Sequence, residues 1–340
     1  SGVQESASTA AGDDDERAHV TMPSKDCETV QEFVTSIRDG HRVWPDAETA
    51  NNADFPSWFV PFGCRTDMSL STEDVMEMLG QFSNIFWLGD SISRQSYIGF
   101  RMLLSQDFIS GGKHLLRNAS GNNRGIDPSA ICQCDGLFSE HDVCRAYEET
   151  WRYFNVTSID HQGDSLTTAL AYEEVRETKM MAEYAESGFK DIQCGEDKRP
   201  VLVIVQGGLH MKVEPVPTLE LFHSIWHHPK LRECEDNGTP IVFIWMGLGA
   251  QHKSLDPRFP HQAWEPKVRF NRKIDSALRS NNSGIPSNVI FMDILNMTKN
   301  AETSDGVHAV IDVNYMQAVY SLRIADAVVR EQSFARLPRD

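Results

Sequence analysis

Positive charge is scarce in this chain, and long apolar runs are missing. Lys and Arg total 32 against 49 Asp and Glu, a formal net charge of −17. That deficit argues against a nucleic-acid or anionic-membrane partner, because either selects clustered Lys and Arg. No run of about 18 consecutive apolar residues occurs, so no transmembrane span is expected. Seven cysteines in 340 residues are too few for a small disulfide scaffold. No internal repeat is visible. A 40% hydrophobic fraction excludes a disordered or collagenous chain and leaves ample material for a core. The first residue is Ser1, which leaves room for a removed signal peptide or anchor ahead of it.

Metal and cofactor signals are equally thin. His223-x-x-x-His227 has metal-ligand spacing but lacks the Glu of H-E-x-x-H, so packed or solvated helix histidines are expected there. Gly247-Leu248-Gly249 is too short for a dinucleotide fingerprint. No metal and no cofactor are therefore implied. Trp264, near Pro257, Pro260 and Pro266, suits a loop, either packed there or acting as a sugar-stacking platform.

Five N-x-[ST] sequons stand out, at Asn118, Asn155, Asn237, Asn281 and Asn296. Chance supplies one or two in such a length. Together with clustered cysteines they favour a secretory-pathway protein, in the Golgi lumen or outside the cell; the alternative is a cytosolic chain rich in Asn and Ser. Cys194 and Cys234 each precede an apolar run and make a reasonable disulfide pair. Cys132, Cys134 and Cys144 look like the staple of an irregular loop; a zinc site is the alternative, but the usual second ligand pair is missing.

Along the chain, residues 1–26 form an acidic, Ser/Ala/Gly-rich tail expected to be disordered. A single domain is expected over 27–335, with an N-terminal wrap over 27–80 and a loop insertion over 106–150. Apolar runs at 85–88, 201–205, 241–245 and 289–292, with a weaker one at 151–156, read as five strands. Helical patterns are expected at 94–105, 166–188, 218–232, 267–279 and 312–330. Continuous apolar strands are what a parallel sheet covered on both faces requires. The expected fold is α/β: a three-layer αβα doubly wound sandwich with a mostly parallel five-stranded sheet and its site at the strand C-termini.

Gly89-Asp90-Ser91 directly follows the first of these strands and precedes a helix. Ser91 there is placed as a nucleophile with its own amide near a helix N-terminus; the competing role for Asp-Ser is to cap the helix. Asp305-Gly306-Val307-His308 follows the last strand. A carboxylate three residues before an imidazole can hold it in the tautomer that accepts a serine proton, and Asp305 or Asp312 as a helix cap is the alternative. In a doubly wound sheet both loops open on one edge.

These residues resemble the SGNH (GDSL-type) hydrolase superfamily. More narrowly they resemble its PC-esterase branch, with Gly89-Asp90-Ser91-Ile92-Ser93-Arg94 as GDSxxR and Asp305-x-x-His308 as DxxH. The stretches 203–210, Gly249-Ala250-Gln251-His252 and 295–298 agree more loosely, and the resemblance spans about 60–330. It implies an acetyl group and a carbohydrate: a polysaccharide O-acetyltransferase or O-acetyl esterase using Ser91, His308 and Asp305. An acyl donor would be a further partner of a transferase. Gly89, Asp90, Arg94, Gly207, His210 and His252 would then lie about the oxyanion and substrate. The superfamily's Gly after the second strand has no clear counterpart, Gly163 being several residues late, and Leu209-His210 stands where its Asn is expected. A lipid or small-ester hydrolase on the same triad, or a non-catalytic glycan-binding protein on the same fold, are the rival readings.

Overall fold

The protein is described from a computed structural model covering residues 22–43, 58–105, 153–159, 165–175, 180, 189, 192, 194, 197–250, 259–280, 289–299, 301 and 311–335. The expected loop insertion, with Cys132, Cys134 and Cys144, lies outside the described residues, as does most of the N-terminal tail.

The wrap comprises α1 (Val30–Asp39), a short antiparallel hairpin of β1 (His41–Val43) and β2 (Trp58–Val60), and α2 (Thr72–Gly80). Both helices start at capping boxes, Thr29 with Glu32 and Ser71 with Asp74, which satisfy otherwise orphaned amides. The wrap is held down covalently by Cys27–Cys64 and non-covalently by Val30 N–H donating to Glu331 Oε1 at 2.8 Å.

The central sheet holds β3 (Asn84–Gly89), β4 (Tyr153–Ile159), β5 (Ser165–Glu174), β6 (Val201–Val205), β7 (Ile241–Met246) and β8 (Ile290–Met292). Its order is β4-β5-β3-β6-β7-β8, with β4 antiparallel at one edge and every other pair parallel. The sheet therefore has six strands, not five. The run at 151–156 belongs to the antiparallel edge strand β4. The second parallel strand is β5, inside the segment whose pattern predicts a helix at 166–188. Ser-Leu-Thr-Thr-Ala-Leu-Ala-Tyr contains good helix formers, yet Leu170 and Tyr172 fill one core while Ala171 fills the other. Burial on both faces overrides local propensity.

The other helices with bounds among the described residues are α3 (Ser91–Ser105), α4 (Pro215–Trp226), α5 (Pro229–Asp236), α6 (Trp264–Leu278), α7 (Leu295–Thr298) and α8 (Ile311–Ala335), and Met180, within the expected 166–188 helix, is helical too. The predicted helix at 218–232 is thus two. Pro229 disfavours helical backbone at His228, which sits at φ −59°, ψ 130°, and restarts the helix as an N1 proline. Cys194 and Cys234 form the expected disulfide. None of the described helices is long and apolar enough to cross a membrane.

Two cores flank the sheet. Ile85, Trp87, Leu202, Ile204, Val242 and Ile244 meet α1, α2, α3 and α8 on one face. Phe86, Leu88, Val203, Val205, Phe243 and Trp245 meet α4, α5 and α6 on the other. Alternate residues of one strand enter opposite cores, which is why these strands read as unbroken apolar runs.

The α3–α8 contact is the tightest helix crossing for the site. Ser96 Oγ bonds Gln317 Oε1, and a Cβ on Gly99 would collide with the Asn314 carbonyl. Gly99→Ala should therefore cost about 1–3 kcal/mol as overpacking. Urea unfolding measures it, and an unchanged midpoint would show that the helices do not approach this closely.

Candidate active site

From β3 the chain goes to β4 and β5 on one side, and β6 then lies on the other. The C-terminal ends of β3 and β6 therefore form the crevice where open α/β sheets place ligands. Gly89, Asp90, Ser91, Gly207 and His210 all fall at this crevice.

Its geometry is set by close backbone packing. Gly89 has φ +152°, and a Cβ there would strike the Gln206 carbonyl; glycine is required. Its carbonyl accepts from Val175 N–H at 2.8 Å, and the Tyr172 hydroxyl lies 3.2 Å from the Asp90 carbonyl. The strand-to-helix turn is thus anchored to β5 on one side and β6 on the other.

Asp90 is buried and caps α3: its Oδ1 accepts from Ile92 N–H at 3.0 Å, and its carbonyl accepts from Arg94 N–H at 3.0 Å. Capping therefore falls to Asp90. Ser91 is the first helical residue, only partly buried, and its hydroxyl is not the cap. Its amide lies at the positive end of a 15-residue helix.

Arg94, one turn on, lies 3.7 Å from Glu174 at the end of β5, both side chains mostly buried. It ties α3 to β5, and a role as a cationic donor must compete with that carboxylate. After β5 comes Val175, whose N–H is already given to Gly89. Its amide is therefore not free to meet a ligand.

The turn after β6 is strained. Gly208 sits at φ +114° with the Phe270 ring where a Cβ would go, and Lys212 and Val213 have φ +55° and +61°. A β-branched residue in that region is an outlier that its surroundings must enforce. Leu209 is buried and His210 exposed on this turn.

Asp305, His308 and His252 lie outside the described residues. Residues on both sides of the Asp305–His308 segment do converge. Thr298 before it, Asn314 after it and Ile92 beside Ser91 line one cavity of about 20 Å³, with Leu209, Leu248 and the buried Lys267. Thr298 also accepts from Ala250 N–H at 2.6 Å, joining the β7 and β8 exits.

His223 and His227 stack with ring centroids 5.6 Å apart, and Arg232 lies 2.8 Å from His227 Nδ1. Burial first, then that guanidinium, hold the His227 pKa below its ordinary value. Among the described residues no His, Cys, Asp and Glu cluster is arranged to hold a metal.

Of the sequons, Asn155 and Asn237 are exposed. Asn296 is half-buried, and its Nδ2 donates to the Arg38 carbonyl at 2.5 Å. Asn118 and Asn281 lie outside the described residues. No family model matches the chain, and no curated protein is detectably similar to it.

A feature that sequence reasoning missed is Asp293, just past β8. It accepts from Asn271 Nδ2 at 2.9 Å and from Leu295 N–H at 3.1 Å, while burial pushes its carboxyl above the usual carboxylate range. Nothing local distinguished it from any other Asp.

Two predictions follow from these contacts. Asp90→Ala should cost about 1–2 kcal/mol through the lost cap, whereas Ser91→Ala should stay within about 0.5 kcal/mol. Equal losses in denaturant titrations would return the cap to Ser91. For Asp293, a raised folded-state pKa means the native state holds the proton more tightly than the unfolded chain. Stability is then lost as pH rises from the ordinary carboxylate value through the raised one. Asp293→Asn, which keeps the acceptor, should be more stable than the parent above that window and equal to it below. Melting curves across pH check this, and a parallel offset at every pH would refute it.

Proposed function

We propose that the protein is a serine acyl-transfer enzyme of the SGNH type, working on O-acetyl groups of a carbohydrate in the secretory pathway. The observation that carries this reading is the division of labour at the β3–α3 turn. Asp90 takes the cap and leaves Ser91 at the switch-point crevice, while the described residues flanking Asp305 and His308 line the same cavity as Ile92.

Ser91 Oγ attacks the ester carbonyl, and His308 takes its proton. Asp305 fixes the imidazole tautomer and stabilises the imidazolium. The oxyanion is met by the Ser91 amide, where the α3 dipole favours negative charge. The acyl-enzyme then passes its acetyl group to water or to a sugar hydroxyl. The two disulfides among the described residues and the exposed Asn155 and Asn237 sequons are compatible with a secreted or lumenal chain.

One observation favours a second reading, a non-catalytic glycan-binding protein on the same architecture. Among the described residues the Val175 amide is spent, and Leu209-His210 stands where the resemblance implies an Asn donor.

Turnover of a chromogenic acetyl ester separates the two. Ser91→Ala should abolish it without unfolding the protein. Asp305→Asn should lower it by about 10³–10⁴, and the Asp305→Asn/His308→Ala double variant should be barely worse than either single, since triad members act as a unit. Activity should rise with pH through one ionisation at or above about 6.5, because only neutral His308 accepts the proton and Asp305 favours its charged form. Substantial activity in Ser91→Ala sinks the proposal. Multiplying losses at 305 and 308 would make Asp305 a helix cap.

A further inference from the structure

Beside β8, between α1 and α6, lies a groove of about 310 Å³ that the Ser91 site does not use. That volume is at the lower end of the roughly 300–1,000 Å³ typical of small-ligand sites. Trp264, the first residue of α6, lines it half-buried, with Lys299 Nζ 5.4 Å from its ring centroid. Arg272, two turns along the same helix, is exposed and makes no hydrogen bond or ion pair among the described residues. Asn296 donates its Nδ2 to the Arg38 carbonyl and has its Oδ1 unused. The other charged lining groups are engaged: Arg279 with Asp275 at 2.7 Å, Arg38 with Asp39, and Asp293 with Asn271. Among the described residues the groove therefore offers an indole ring that Lys299 also approaches, one guanidinium fork and one amide acceptor, while its carboxyl groups already have partners.

We propose that this groove is a carbohydrate subsite that seats a neutral pyranose ring of an oligomeric glycan. A pyranose has a face of C–H groups that complements the negative face of an indole. Its rim of hydroxyls both donates and accepts, and so needs donors and an acceptor around one ring. Arg272 can meet two adjacent hydroxyl oxygens with one fork, and Asn296 Oδ1 can take a hydroxyl proton. The location fixes the ligand's length. Lys267, three residues after Trp264 on α6, lines the small cavity beneath Ile92, so α6 separates the groove from the Ser91 turn. A helix is about 10–12 Å across with its side chains, and only a chain of several sugars reaches both places. The inference rests on the reading of Ser91 as a glycan-directed site for its purpose, but not for its binding chemistry. It also excludes use of the Asn296 sequon, because a glycan linked there would occupy the same groove.

Isothermal titration of the full-length protein with cellohexaose, mannohexaose and maltohexaose, in the wild type and in Ser91→Ala, tests it. At least one hexasaccharide should bind both proteins equally. Trp264→Ala should weaken that binding about tenfold or more, equivalent to about 1.4 kcal/mol, and Trp264→Phe should recover part of it. Arg272→Ala, at an exposed position where misfolding is not expected, should weaken it several-fold. Absence of binding by the wild type, or binding indifferent to both Trp264→Ala and Arg272→Ala, overturns the subsite. So does a glycan on Asn296 in peptide maps of protein from a eukaryotic secretory host. If hexasaccharide binding depends on Trp264 while no acetyl ester is turned over, the subsite stands and the acyl-transfer reading alone falls.

Discussion

The parallel pairing of β3 with β6, Asn84–Leu88 against Val201–Val205, is the contact on which the rest depends. Both strands are buried on both faces, so their side chains can only alternate between the two cores. At the end of β3 the pairing becomes so close that no side chain fits at Gly89. The chain must turn there, and Tyr172 of β5 with Val175 just past it supply the hydroxyl and the amide that hold the turn. A residue with a Cβ would push β3 away from β6 and would unseat α3 together with the strand.

Electrostatics at that turn divides two neighbouring residues. The Asp90 side chain is buried at the first turn of α3, where its Oδ1 accepts from Ile92 N–H at the positive end of the helix dipole. Ser91 is left at the crevice with its amide in the same field. Arg94 and Glu174 then neutralise each other beside it. The crevice thus gains a helix N-terminus whose neighbouring guanidinium, Arg94, is already held by Glu174. That suits a developing oxyanion and limits the attraction of bulk anions to an already acidic protein.

The wrap illustrates a different constraint. α1, the β1–β2 hairpin and α2 join the domain's core rather than forming one of their own, adding Phe33, Ile37, Phe59 and Leu79 beside α8. Cys27–Cys64 shortens the unfolded excursions of the 37 residues it spans, which favours docking of the wrap. By covering one helical layer it also builds one wall of the groove beside β8, through Val34 and Arg38 of α1. The support that stabilises the domain thereby shapes a surface some distance from Ser91.

Much of this was legible in the residues. Unbroken apolar runs at 85–88, 201–205 and 241–245 read as doubly covered parallel strands, and the structure has them so. A Gly-Asp-Ser after the first of them marks the turn, and Cys194 with Cys234 marks a staple. What stayed hidden has a common physical cause. The strand β5 carries Leu, Ala and Glu whose local preference is helical, and neighbours on both faces and both edges make it extended. Cys27 gives no sign that Cys64 is its partner, because the hairpin between them sets their distance. Nor does Asp90-Ser91 reveal which residue caps the helix, because that choice depends on where β3 stops against β6. Trp264, Arg272 and Asn296 meet only because α6 and α7 pack around the end of β8. Sequence by itself determined which segments had to be buried and where the chain had to turn, because hydrophobic periodicity and glycine's freedom are local. Tertiary structure alone decided which polar groups are spent and which are left over for a ligand, because hydrogen-bond satisfaction is a property of neighbours brought together across the fold.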